Sequence, residues 1–145
     1  MITGENYVNK LVFEMIGEVS KASKKADKLT VIDKYREDWA FKSIIRGTYD
    51  DKIEWLIPAG EPPYTPSKEE SSPSNLKKRY KDFAHFIKNK ANANVPAFKR
   101  EKIFLSLIES IHPEDAKLVI GMINKQPIKG ITKALITEAF PELFA

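Results

Sequence analysis

Val8, Leu11, Val12, Met15, Ile16 and Val19 recur at i, i+3, i+4 and i+7, the spacing that draws one apolar stripe along an α-helix. The same spacing returns along most of the chain. Leu29, Ile32 and Tyr35 mark a short second helix over residues 28–35, and Asp38 is placed to cap a third that buries Trp39, Ile44 and Ile45. Ser74 is placed to cap a fourth, with Leu76, Tyr80, Phe83 and Ile87 inward and Phe86 off the stripe. Pro96 suits the first turn of a fifth, whose core face is Ile103, Phe104, Leu107, Ile108 and Ile111. His112-Pro113 starts a sixth that buries Ala116, Val119, Ile120 and Ile123. Thr132 caps a seventh, with Leu135, Ile136 and Phe140 as core. Only "KIEWLIP" could be a strand, and it reads better as an irregular helix end because no other segment offers it a partner. The spacing predicts an all-α bundle of about seven helices.

The longest interruption is "PAGEPPYTPSKEESSPSN", residues 58–75, which holds five of the nine prolines. Pro62-Pro63-Tyr64 favours extended polyproline geometry. The expectation is one domain, residues 1–145, crossed internally by this loop rather than divided by it. At 145 residues such a domain buries about two thirds of its unfolded surface without staples. No apolar run approaches the roughly 18–20 residues that cross a bilayer, and "MITGENYVNK" lacks the pattern of a secretion signal. A cytoplasmic protein without membrane contact is expected.

Several chemistries lack their residues. There is no cysteine, hence no disulfide framework and no thiolate metal site. His85 and His112 stand in no metal-ligand spacing, and neither a nucleophile elbow nor a phosphate-cradling glycine loop occurs. The acidic pairs Asp50-Asp51, Glu69-Glu70 and Glu114-Asp115 sit beside helix ends or in the loop, where carboxylates are ordinary. The expectation is a non-enzymatic protein with no cofactor and no metal.

Charge is the feature that remains. The net charge is +4, yet residues 76–102 carry nine basic side chains against two acidic ones, which leaves the rest of the chain at −3. Such asymmetry suggests a polyanion held on one face; a solvated helix surface is the plain alternative. The candidates in this segment are Lys77, Lys78, Arg79, Lys81, Lys88, Lys90, Lys99, Arg100 and Lys102. A second set, Lys129, Gly130, Thr132 and Lys133, surrounds a helix start, where free N–H groups favour phosphate. Gly130 lets backbone approach a ligand closely, or is simply a turn glycine.

The stretches "PAGEPPYTP", "SPSNL", "FKREKIF", "LIESIHPEDAKLVIGMINK" and "GITKALITEAFPEL" resemble an uncharacterised protein family of large tailed bacteriophages over nearly the whole chain. In order, "KADKLTVIDKY", "DWAFKSIIRGTYDDKIEWLI", the proline excursion, "AFKREKIFLSLIES" and "EDAKLVIGMINKQPIKGITKALITEAFPEL" are similar to the N-terminal DNA-binding domain of ATP-dependent DNA ligases. That likeness runs to the close Phe140-Pro141-Glu142-Leu143. It implies an all-helical domain that grips duplex DNA by its phosphates, with Lys99, Arg100 and Lys102 at one helix start and Lys129, Gly130, Thr132 and Lys133 at another. One departure is plain: the ligase K-x-D-G motif has no counterpart, "KADK" carrying Lys28 in place of glycine. The resemblance therefore implies a binding domain without the enzyme, acting in the cytoplasm of an infected bacterium. The rival expectation is an adaptor or inhibitor that docks on a replication, transcription or host-defence protein through Pro62, Pro63 and Tyr64.

Overall fold

The computed structural model describes residues 10–144, so the predicted helical position Val8 lies outside the described residues. Within them the chain is all-α. Seven helices follow in order: α1 (Val12–Lys21), α2 (Lys25–Lys34), α3 (Trp39–Tyr49), α4 (Leu76–Arg79), α5 (Ala97–Ser110), α6 (Pro113–Ile123) and α7 (Lys133–Ala139). Short 3₁₀ segments occupy Glu69–Ser71, Tyr80–Phe86, Lys90–Asn92 and Pro141–Phe144.

The helices start where short polar side chains can satisfy the first free N–H groups. Asp38 accepts from Phe41 N–H at 2.9 Å to open α3, and Thr132 Oγ1 accepts from Leu135 N–H at 3.1 Å to open α7. His112 Nδ1 accepts from Glu114 N–H at 3.0 Å, with Pro113 at the first helical position of α6. At α4 the cap is Asn75, whose side chain accepts from Lys78 N–H; Ser74 instead donates its own N–H to Ser110 O at 2.7 Å. The start of α1 has no cap of its own side chain and borrows one: Asp115 of α6 accepts from Phe13 N–H at 2.8 Å.

α1 packs on α2 and α3, α3 crosses α6, α5 lies along α6, and α7 returns to α2. Their inward faces meet in one hydrophobic cluster that includes Met15, Ile44, Phe104, Val119 and Ile136, all at most 1% exposed. The proline-rich crossover is laid over α5 and α6 and tied down along its length. Gly60 N–H donates to Asn124 Oδ1 at 2.7 Å, Thr65 N–H to Glu109 Oε2 at 2.8 Å, and Tyr64 is half-buried against the core.

Two aromatic expectations change. The fourth helix ends after one turn and continues as 3₁₀, whose three-residue period aligns Tyr80, Phe83 and Phe86. Phe86 is therefore fully buried, edge-on to Phe104 with ring centroids 5.3 Å apart, and Ile87 is left half-buried at the segment's end. Trp39 is 59% exposed, because it lies two residues from Phe41 and so across a 3.6-residue turn from the buried stripe. Lys42 Nζ rests 3.8 Å above its ring. Phe98, 75% exposed, sits on the outer side of α5.

Candidate functional site

The site is built around residues 51–56. At the end of α3, the buried Asp50 accepts from Lys52 N–H at 2.9 Å, a local turn that throws the chain into an extended course. That course pairs, against expectation, with the segment after the 3₁₀ turn Tyr80–Phe86. Leu56 N–H donates to Phe86 O at 2.7 Å, Lys88 N–H donates to Glu54 O at 2.9 Å, and Trp55 and Ile87 form an isolated antiparallel bridge. The partner was not visible as a strand because it exists only once the preceding helix tightens and stops.

Extended backbone sends alternate side chains to opposite sides. Lys52, Glu54 and Leu56 line a groove of about 710 Å³, which Lys88, Lys90, Val95 and Arg100 complete. Asp51, Ile53 and Trp55 line a second cavity of about 850 Å³, together with Tyr49, Ile123, Lys125, Ile128, Gly130, Thr132 and Lys133. Glu54 belongs to both, so the two concavities adjoin along the ribbon.

In the groove Lys88, Lys90 and Arg100 are weakly compensated, whereas Lys52 Nζ donates to Phe144 O at 2.7 Å. Among the described residues Arg100 donates to backbone carbonyls alone, to Val95 O at 3.1 Å and Leu56 O at 3.4 Å. Lys88 faces Glu54 at 3.4 Å with both side chains over 60% exposed, a pair worth at most about 1 kcal/mol. Lys90 makes no ion pair among the described residues. Its short 3₁₀ turn is held by Asn92, whose buried Nδ2 donates to Ala84 O at 2.8 Å and Ile87 O at 2.6 Å.

In the cavity, Lys125 occupies the residue after the C-cap of α6, where Lys125 N–H bonds to Met122 O and Gln126 N–H to Gly121 O, both at 3.0 Å. That closure requires a left-handed residue, usually glycine. Lys125 adopts φ +54°, the one positive φ among the described non-glycine residues, at a cost of about 1 kcal/mol. Its Nζ donates to Asp50 O at 2.7 Å, and burial lowers its pKa below the usual lysine value, with Asp50 and Asp51 pulling the other way. Lys133 bonds Asp51, which holds that carboxyl below its usual range.

The remaining candidates from the sequence lie elsewhere or serve the fold. Lys77 pairs with the buried Asp38, and Arg79 joins Asp82 at 2.7 Å and Ser110 Oγ at 2.8 Å. Lys78 is exposed, and Lys81 lines a separate hollow with Arg46 and Phe83. Lys99 and Lys102 point to solvent from the outer side of α5, away from Arg100. Lys129 is exposed, with its carbonyl accepting from Ser20 Oγ. Gly130, φ +82°, is needed because a Cβ there would fall 2.9 Å from Ser20 O; its close approach is to α1. At the α7 start, Thr132 already occupies one N–H. In the crossover Pro63 is exposed, while Pro62 and Tyr64 are half-buried.

Sequence reasoning missed Lys52, Lys125 and Trp55. Lys52 sits in a stretch that read as a helix end. Lys125 could have been noticed, since a lysine stands where a helix closure favours glycine.

Residues 15–129, which run from within α1 to the turn before α7 and carry most of both concavities, match a family model described as a family of unknown function, DUF6433. The chain belongs to DUF6433. The match takes in the ribbon, Lys88, Lys90, Arg100 and Lys125, so the groove lies wholly within the DUF6433 region and, of the cavity lining, only Gly130 to Lys133 falls beyond it. No curated protein and no solved structure matches the chain. Among the described residues, no helix is long and apolar enough to cross a membrane, and no cluster of three His, Cys, Asp or Glu could hold a metal ion.

Proposed function

We propose that this DUF6433 protein is a non-enzymatic phage protein that binds nucleic acid, duplex DNA foremost, through backbone phosphates in the host cytoplasm. The observation that carries this reading is the groove in which Lys88, Lys90 and Arg100 converge beside Lys52, with Glu54 the one carboxylate among its described lining residues. A concave surface in which one sign of charge predominates concentrates a polyanion, and phosphate contacts carry no sequence information. The likeness of the helix order to ligase DNA-binding domains supports the same ligand.

A labelled duplex, the matching single strand and an RNA of equal length, titrated between about 50 and about 200 mM salt, test it. Log affinity should fall linearly with log salt, by about 0.9 per phosphate neutralised. The Lys88→Ala/Lys90→Ala variant should bind every duplex sequence more weakly by a similar factor and reduce the salt slope by about 2. Both side chains are exposed, so the fold is preserved. Absence of binding at the lowest salt would overturn the proposal and leave docking on a replication, transcription or host-defence protein as the reading to pursue.

A further inference from the structure

The 850 Å³ cavity is built differently from the groove it adjoins. Ile53, Trp55, Ile123 and Ile128 give it apolar walls, and two cations, Lys125 and Lys133, share it with the carboxylates of Asp51 and Glu54 at its rim. The Trp55 ring is fixed: its Nε1–H donates to Gly47 O at 3.0 Å, and Phe83 meets it edge-on with centroids 6.4 Å apart. Lys125 stands at a backbone position that glycine fills without strain, yet its side chain is kept and anchored at this wall. Its ammonium bonds a neutral carbonyl rather than a carboxylate, and burial disfavours its charge more than Asp50 and Asp51 favour it, so an anion entering here would meet a partly desolvated cation. The one carboxylate on Lys133, that of Asp51, is 85% exposed and free to swing into water.

A rigid aromatic plane and apolar walls beside two cations suit a ligand with a flat ring and an anionic group. Base–aromatic stacking is tolerant of base identity. We propose that this cavity is a nucleoside-phosphate site, in which Lys125 and Lys133 hold the phosphate and the Trp55–Ile128 wall holds the base. Because Glu54 joins the cavity to the basic groove, a strand lying in the groove would present its terminal nucleotide here; this part of the inference rests on the nucleic-acid reading. A free nucleotide offers the same chemistry.

The test uses the full chain with Trp39→Phe, so that Trp55 is the sole tryptophan and its fluorescence reports the cavity. Titration with dTMP should quench it saturably, with thymidine alone and inorganic phosphate alone at least about tenfold weaker. Lys125→Gly, which relieves the left-handed residue, should melt within a few degrees of the parent and lose dTMP affinity about tenfold or more. Lys133→Met, at an exposed position, should lose it comparably. A 5′-phosphorylated oligonucleotide binding tighter than its 5′-hydroxyl twin identifies a strand end as the source; equal binding of the twins, with dTMP still saturating, identifies free nucleotide. If dTMP fails to quench, or Lys125→Gly binds it as the parent does, the cavity inference falls. Salt-dependent duplex binding that survives would then keep the groove reading intact. Conversely, dTMP binding without duplex binding would remove the groove reading alone.

Discussion

The carboxylate of Asp115 is 1% exposed, its Oδ1 caps α1 through Phe13 N–H, and its Oδ2 has no hydrogen-bond partner. Burial raises its pKa from 3.8 to about 6, against the pull of the Phe13 bond and His112. Between those values the folded protein keeps a proton that the unfolded chain has already lost. The contribution of Asp115 to stability is therefore greatest below about pH 4, falls as pH rises towards 6, and is lost above it. From about pH 4.5 to about pH 7.5 the loss should be about 2 kcal/mol. Asp115→Asn keeps the acceptor for Phe13 and removes the titration. Urea melts of parent and variant at the two pH values should show the variant gaining on the parent by that amount at the higher pH. A difference independent of pH would mean that the carboxyl is solvated or partnered. The residue was visible in the sequence only as half of an acidic pair at a helix start. That it reaches across to cap α1 depends on a contact 102 positions away, which no local pattern encodes.

Helices were legible wherever one face had to be buried and a short polar residue stood before it. Asp38, Thr132 and His112-Pro113 were read as starts and are starts, because capping is a property of neighbours in sequence. Ser74 and Asn75 were equally good caps by type, and the neighbouring α5 decided between them by claiming the Ser74 N–H. The 3₁₀ turn, and with it the burial of Phe86, depends on packing against α5, as does the ribbon pairing that follows. The crossing of α3 and α6 is a similar case, hidden in a single glycine. A Cβ on Gly47 would fall 2.5 Å from Met122 Sδ and 2.7 Å from Trp55 Cζ2, so α6 and the ribbon close onto bare backbone there. Alanine improves helix propensity by about 1 kcal/mol but overpacks this contact by about 1–3 kcal/mol. Gly47→Ala should therefore lose about 1 kcal/mol, or somewhat more. Gly121→Ala, in α6 with nothing within 4 Å of the added carbon, should gain up to about 1 kcal/mol. Thermal melts of the pair check both signs; a stabilised Gly47→Ala would mean that the crossing is looser than its geometry.

Across the whole molecule, the basic asymmetry of residues 76–102 was legible as charge but not as a surface. Lys88, Lys90 and Arg100 share a groove because a turn, a bridge and a helix start converge on the ribbon, while Lys77 and Arg79 are spent on Asp38 and Asp82. Spacing along the chain cannot distinguish these fates. The crossover presents the same question at larger scale, since five prolines in a row of loop residues would equally suit a linker between domains. Its ties to Asn124, Glu109 and Ser110 run to helices beyond it, and the buried cluster draws on both sides: Ile16, Phe41 and Ile45 before the loop, Phe104, Ile120 and Phe140 after it. Two halves that each lack the other's wall cannot bury those side chains alone, and a core divided in this way is expected to unfold as one unit. A site-specific protease sequence inserted after Lys68, an exposed position, allows the chain to be cut without touching the core. The cut fragments should co-elute as one species in native buffer, melt in a single transition a few degrees below the intact protein, and separate only in denaturant. Separation in native buffer, or two transitions before cutting, would make residues 58–75 a boundary and reduce the groove to a contact between two domains.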